Sequence, residues 1–250
     1  MRLTDTVAMV TGGSSGIGAA TAQALASAGA RLLLVGRDKE RLAAVADRTG
    51  ATAIVADLST PDGCAATAKR ALHAAGRVDI LVNNAGIGWA GRFASMDGGD
   101  IERLVAINLT APLRLTRLLI PAMVERGSGH VVHVSSIAGC TGVRDEAVYA
   151  ATKGGLHLFA DSLRQEVAGS GVGVSIVVPG VVDTPFFDRR GTPYDRRWPR
   201  PIPPERVAGA IVDAVAHERA EAYVPGWTRM PARLHGGLPG LFRTLATRFG

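Results

Sequence analysis

The sequence predicts a doubly wound α/β protein: one parallel sheet between two layers of helices, three layers in all, forming a single domain. Three observations carry that prediction. Short runs rich in β-branched and other apolar residues alternate with longer amphipathic segments, the pattern of strands joined by crossover helices. The first of these runs feeds directly into a glycine-rich turn, and a helical pattern follows. The chain has 250 residues, 47% of them hydrophobic, which is core enough for one domain of this design.

In chain order, strands are expected at Thr6–Thr11, Arg31–Gly36, Thr52–Ala56, Ile80–Asn83, His130–Ser135, Gly173–Val178 and Glu221–Pro225. Helical periodicity covers Ile17–Ala28, Lys39–Arg48, Pro61–Ala75, Gly99–Arg126, Tyr149–Ala168 and Pro204–Glu218. No internal repeat interrupts the series. The stretch Phe186–Pro203 holds five Arg and four Pro. At about eighteen residues it exceeds the usual loop length and reads as a lid or substrate-binding loop.

Charge and cysteine content exclude several classes. The formal net charge is +6. Residues 1–185 carry 17 basic and 16 acidic side chains, residues 186–250 carry 11 and 6, so the surplus sits in the last quarter of the chain. That distribution is not a nucleic-acid-binding face spread over the molecule. Two cysteines, Cys64 and Cys140, form no disulfide framework and no metal-ligand spacing. No run reaches the about 18 consecutive apolar residues of a membrane span. The opening segment reads as a strand entering a turn, not as a signal. A cytoplasmic protein is expected.

The turn is Thr11-Gly-Gly-Ser14-Ser15-Gly16-Ile17-Gly18. Gly12, Gly16 and Gly18 allow a tight bend, close approach of backbone to a pyrophosphate, and close helix–strand packing. The helix that follows offers unpaired N–H groups and a positive dipole end. Such turns also occur as plain β–α connections; strand before, helix after and this spacing favour a dinucleotide. The next strand ends in Gly36, where an acid would hold adenosine ribose hydroxyls, and Arg37 follows. A guanidinium matches a 2′-phosphate in charge and in shape, so NADP(H) is expected ahead of NAD(H). Asp38 leaves that choice open, since it fits either a ribose or the N-cap of the next helix.

Tyr149 and Lys153 are i, i+4 neighbours on one helix face. A phenol of pKa near 10 is a poor base at neutral pH, and an adjacent ammonium favours its ionised form. The chain has three lysines among 28 cations, so a Lys at this spacing stands out.

Taken together, the turn at 11–18, Asn83-Asn84-Ala85-Gly86, Asn108, Ser135-Ser136, Tyr149/Lys153 and Pro179-Gly180 resemble the short-chain dehydrogenase/reductase family over about residues 4–185. The resemblance implies a Rossmann fold and an oxidoreductase that interconverts a secondary alcohol and a ketone, with a small, apolar substrate expected. It implies Tyr149 as general acid/base, Lys153 as the residue that lowers the Tyr149 pKa and binds the nicotinamide ribose, and Ser136 as the holder of the substrate oxygen. Asn108 would anchor a water leading from Lys153 to solvent. On the cofactor side it implies Gly12, Ser14, Ser15, Gly16, Ile17 and Gly18 at the phosphates, with Arg37 at the 2′-phosphate. Asp57 and Leu58 would lie at the adenine, Asn84, Ala85 and Gly86 beside the adenine ribose, and Pro179, Gly180, Val182 and Thr184 at the nicotinamide. Asn83 is expected to brace backbone in the sheet. Gly154 and Gly155, costly inside a helix, are read as a close approach by a second copy, so a homodimer or homotetramer is expected.

After Thr184 the resemblance thins. Residues 227–250 read as a C-terminal extension, and residues 222–250 carry Arg229, Arg233, Arg243 and Arg248 with no acid. Leu234, Leu238, Leu241, Phe242, Leu245 and Phe249 fall near helical spacing, with Pro239 breaking or starting a helix. Three readings stand: packing over the active site or on a partner subunit, peripheral membrane contact, or recognition of an acidic partner such as an acyl carrier protein. Two alternatives to a simple ketone reductase also stand: a 3-oxoacyl-thioester reductase, and an NADP-binding regulator or scaffold without significant turnover.

Overall fold

The structure is a computed structural model that describes residues 1–240, 242 and 244. Leu241, Arg243, Leu245, Arg248 and Phe249 of the C-terminal pattern lie outside the described residues. The elements run β1 (Val7–Thr11), α1 (Gly16–Ser27), β2 (Arg31–Gly36), α2 (Lys39–Thr49), β3 (Thr52–Val55), α3 (Pro61–Ala75) and β4 (Ile80–Asn83). They continue with α4 (Gly98–Val105), α5 (Ala111–Glu125), β5 (Gly129–Val134), α6 (Ala138–Thr141), α7 (Ala147–Glu166) and β6 (Val172–Pro179). The chain then forms α8 (Phe186–Arg189), α9 (Pro204–Ala216), β7 (Glu221–Val224) and α10 (Arg229–Gly237).

Seven parallel strands form one sheet in the order β3-β2-β1-β4-β5-β6-β7. Strands β1, β4 and β5 are buried on both faces, so their apolar residues run consecutively instead of alternating with exposed ones. On one face Leu25 of α1, Leu42 of α2 and Ile211 of α9 pack with Val10 and Leu34. On the other, Ala68 of α3 and Leu115 and Met123 of α5 pack with Met9 and Leu81, while Leu156 and Leu163 of α7 cover Ile176 and Val178. This is the three-layer, doubly wound architecture of a Rossmann-like fold. The order reverses between β1 and β4, and the crevice at their carboxyl ends is where such sheets bind ligands.

The expected helix at 99–126 is interrupted. Between α4 and α5, residues Ala106–Thr110 form a π turn in which the Ala111 N–H reaches back to the Ala106 carbonyl. Pro112 explains the break, because it has no N–H to give to the carbonyl four residues earlier, that of Asn108. The full run 98–125 has the length and hydropathy of a membrane span. Its apolar residues Leu115, Leu119 and Met123 are instead spent on the sheet.

The glycines of α7 have close neighbours within the same chain. A Cβ on Gly154 would stand 3.0 Å from the Gly139 carbonyl oxygen, and a Cβ on Gly139 would stand 2.6 Å from the Lys153 carbonyl carbon. Helix α6 therefore lies directly on α7 within one chain. A Cβ on Gly155 would meet the Leu109 side chain at 3.2 Å. Both glycines are accounted for without a second copy.

Candidate active site

A cleft of about 1300 Å³ opens at the switch point between β1 and β4 and runs from the glycine turn to the start of α7. At its floor, Gly12 has φ +67°, and a Cβ on Gly18 would stand 2.1 Å from the Gly12 carbonyl oxygen, so the turn accepts only glycine there. Helix α1 begins with Ser15 at its N-cap, yet Ser15 makes no capping hydrogen bond and the first turn holds no acid. Its N–H groups are left without side-chain acceptors and face the cleft together with Ser14, Gly16 and Ile17, the arrangement that suits a phosphate.

Asn84 holds this turn from behind. Its backbone N–H donates to the Thr11 hydroxyl at 3.0 Å and its amide donates to the Thr11 carbonyl at 2.9 Å, while the Ala85 N–H also donates to the Thr11 hydroxyl. Asn83 does not brace backbone: its amide donates to the Thr116 hydroxyl at 3.1 Å and lies 3.4 Å from His133 Nδ1. Asn83 thus faces α5 and β5 while Asn84, the next residue, faces the turn. Asn84, Ala85 and Gly86 all line the cleft.

At the end of β2, Asp38 settles as a helix cap. Its carboxylate accepts from the Arg41 N–H at 3.0 Å and pairs with the Arg41 guanidinium, and these contacts hold the carboxyl below its ordinary range. Arg37 is exposed, lines the cleft and has no direct ion pair among the described residues. Asp57 accepts from the Ser59 N–H at 2.9 Å, which holds it below the usual carboxylate range. Leu58 lines the cleft with a mostly buried side chain. Two further arginines reach this corner without having been read as cofactor residues. Arg41 stands on α2, and Arg189, from α8, donates to the Ser15 hydroxyl at 3.0 Å. Arg41 has a local signal, one turn from Asp38. Arg189 is 174 residues from Ser15 and has none.

At the other end of the cleft stand Ser136, Tyr149 and Lys153. The Ser135 hydroxyl donates to the Lys153 carbonyl at 3.0 Å, which ties α7 to the end of β5. Tyr149 is buried, and burial pushes its phenol well above the ordinary range; a hydrogen bond with Ser136 and the nearby Arg190 oppose the rise, and Glu146 adds to it. Lys153 follows Tyr149 one helical turn later on α7. Its Nζ donates to the Val134 carbonyl at 2.9 Å and lies 5.9 Å from the centre of the Tyr149 ring. Burial pushes Lys153 itself down to about 8. Asn108, carried inward by the π turn, is fully buried; it accepts from the Ile87 N–H at 2.8 Å and donates to the Ile87 carbonyl at 2.9 Å. A Cβ on Gly86 would stand 3.3 Å from Asn108 Oδ1 and 3.5 Å from Lys153 Nζ, so the bare glycine leaves room between them.

Pro179, Gly180, Val182 and Thr184 border the cleft after β6. The Gly180 N–H donates to the Val224 carbonyl, and Val182 pairs with Ile202, so the expected loop is pinned at both ends. A Cβ on Gly16 would meet the Thr184 methyl at 2.9 Å. Phe186 packs against Tyr149 with ring centres 5.6 Å apart, and Arg190 forms an ion pair with Glu146 at 2.5 Å. The loop is thereby fastened to the start of α7. His130 and His133 are interior residues of β5, driven by burial to about 4 and about 3. Burial raises the Cys140 thiol to about 11, unsuited to a nucleophile.

Fold and cleft together define an oxidoreductase of the doubly wound α/β class. The family model described as short chain dehydrogenase matches residues 6–195, and the chain belongs to that family. It is 37% identical over 232 residues to the ketoacyl reductase HetN of Nostoc sp., covering 89% of this chain and 79% of that protein. Among solved structures it is similar to a short-chain dehydrogenase from Sphingobium yanoikuyae in complex with NADPH, with TM-score 0.84 and 33% identity over 95% of both chains. A short chain dehydrogenase/reductase from Burkholderia phymatum in complex with NAD superimposes with TM-score 0.87 at 26% identity, over 96% of both chains.

Proposed function

We propose that this protein is an NADP(H)-dependent reductase of ketones, with Tyr149 as the proton donor, Ser136 as the holder of the substrate oxygen, and Lys153 and Asn108 as its support. The observation that carries the reading is the meeting of Ser136, the buried Tyr149 and Lys153 at one end of the cleft that begins at the glycine turn. The phenol holds its proton at neutral pH, as the starting state of a general acid for carbonyl reduction requires. The nicotinamide supplies the hydride when bound. Ser136 and Tyr149 then stabilise the oxygen on which negative charge develops, and Tyr149 gives it a proton. Phe186 keeps water from one side of the phenol.

Gly12, Ser14, Ser15, Gly16, Ile17 and Gly18 fit the pyrophosphate, Arg37 the 2′-phosphate, and Arg189 adds a second guanidinium from the substrate loop. Asp57 and Leu58 are assigned to the adenine, Asn84, Ala85 and Gly86 to its ribose, and Pro179, Gly180, Val182 and Thr184 to the nicotinamide. Free Arg37 and capped Asp38 favour NADP(H) over NAD(H), and the NADPH complex of the Sphingobium relative agrees with that order. An assembly of identical subunits in the cytoplasm is part of the reading, with the exposed Leu118 of α5 and Leu158 of α7 as its contact face. The similarity to HetN keeps a 3-oxoacyl substrate as the second reading.

An absorbance assay at the nicotinamide band tests the proposal, using NADPH and NADH with apolar ketones and 3-oxoacyl thioesters. Turnover with NADPH at lower KM than with NADH is the expected result. No oxidation of either cofactor with any of these carbonyls, by protein shown to bind NADPH, would support the scaffold alternative instead.

A further inference from the structure

A second cavity of about 1130 Å³ adjoins the cleft along Ile137, Val143, Gly180 and Val181, the first of these next to Ser136. It exceeds the roughly 300–1,000 Å³ of sites that hold drug-sized ligands. Its far wall is built from the segment after β7: Trp227, Pro231, His235 and Phe242. Trp227 stacks on Trp198 of the 186–203 loop, ring centres 5.1 Å apart and planes within 26°. The loop and the C-terminal segment thus close over one apolar space. Arg144, Arg196, Arg200 and Arg206 also line it, and among the described residues no carboxylate does. None of these four arginines has an ion pair among the described residues.

We propose that this cavity is a distal substrate subsite, which takes the apolar chain of an amphiphilic ketone and binds an anionic group on that chain through the arginines. The assignment rests on the reductase reading for the ketone but not for the amphiphile. Continuity with the Ser136 end of the cleft places the carbonyl at one end and the chain at the other. An apolar lining desolvates the chain, and guanidinium groups without carboxylate partners favour an anion. The C-terminal segment is then a wall of the substrate site. A carboxylate and a phosphate share the required chemistry.

Tryptophan fluorescence tests binding without turnover. Dodecanoate, dodecyl phosphate and 1-dodecanol are titrated into the full chain, with Trp198 and Trp227 as reporters. Saturable quenching by either anion is expected, with affinity at least about tenfold above that of the alcohol, and the better anion identifies the headgroup. Arg200→Glu/Arg206→Glu should lose that preference while NADPH binding stays within about twofold. In the NADPH assay, Pro231→Trp should lower kcat/KM at least about tenfold for a long-chain ketone with a terminal carboxylate, leaving a short apolar ketone within about twofold. Equal binding of alcohol and anions, or no saturable quenching, would overturn the subsite. So would an equal loss for both ketones. Anion-selective binding by a protein that reduces no ketone would leave the subsite standing and remove the reductase reading.

Discussion

Two guanidinium groups meet the proposed 2′-phosphate corner from opposite ends of the chain. Arg37 is free to pair because Asp38 is occupied by Arg41, and Arg189 already reaches the Ser15 hydroxyl. A charge-assisted hydrogen bond contributes about 1.5–3 kcal/mol. Arg37→Ala is therefore expected to raise KM for NADPH about tenfold or more and to leave KM for NADH within about twofold. An unchanged NADPH/NADH ratio would take Arg37 out of the specificity argument. Arg37 was legible in the sequence, because a strand end followed by a cation has a local meaning. Arg189 was not, because its place beside Ser15 depends on the course of a loop with no periodic pattern. The Tyr149–Lys153 spacing was equally legible, whereas the direction of the Lys153 ammonium toward Val134 depends on packing between α7 and β5.

The site is held in register by the fit of α6 against α7. The Gly139 backbone sits so close to Lys153 that an added methyl has no space. Gly139→Ala is expected to destabilise the protein by about 1–3 kcal/mol through overpacking. Thermal unfolding would show it as a lowered Tm, with Gly50→Ala as a contrast because no atom lies within 4 Å of that Cβ position. Gly50 has φ +64°, so its own cost is backbone strain without a packing clash. An unchanged Tm for Gly139→Ala would contradict the tight contact. Strands and most helices were readable from periodicity to within a residue or two. The π turn around Asn108 was not, since an apolar pattern reports that a helix exists and not where its hydrogen bonds shift. Pro112 was the available signal. The glycines of α7 were visible as an anomaly, but a sequence cannot distinguish a neighbour in the same chain from one in another.

For the whole molecule, the seven-strand sheet followed from the alternation of strands and helices, while the second cavity did not. Its walls come from α6, the loop after β6 and the segment after β7, which only the closed fold brings together. The same closed core makes acid sensitivity a global property. His130 and His133 are buried neutral, with folded pKa values of about 4 and about 3 against an ordinary value near 6.5. The unfolded chain then binds more protons below about pH 6.5, so their contribution is present above that pH and is lost as pH falls toward 4. Urea unfolding midpoints are expected to drop between pH 7 and pH 5, with a smaller drop for His130→Asn. A pH-independent midpoint would show that the two histidines are not buried as neutral groups. The role of Tyr149 as proton donor is probed by Tyr149→Phe, which removes one hydroxyl from a buried ring. NADPH binding is expected to persist while ketone-dependent NADPH oxidation falls by about 10²–10⁴-fold. Wild-type rates from the Tyr149→Phe protein would contradict it.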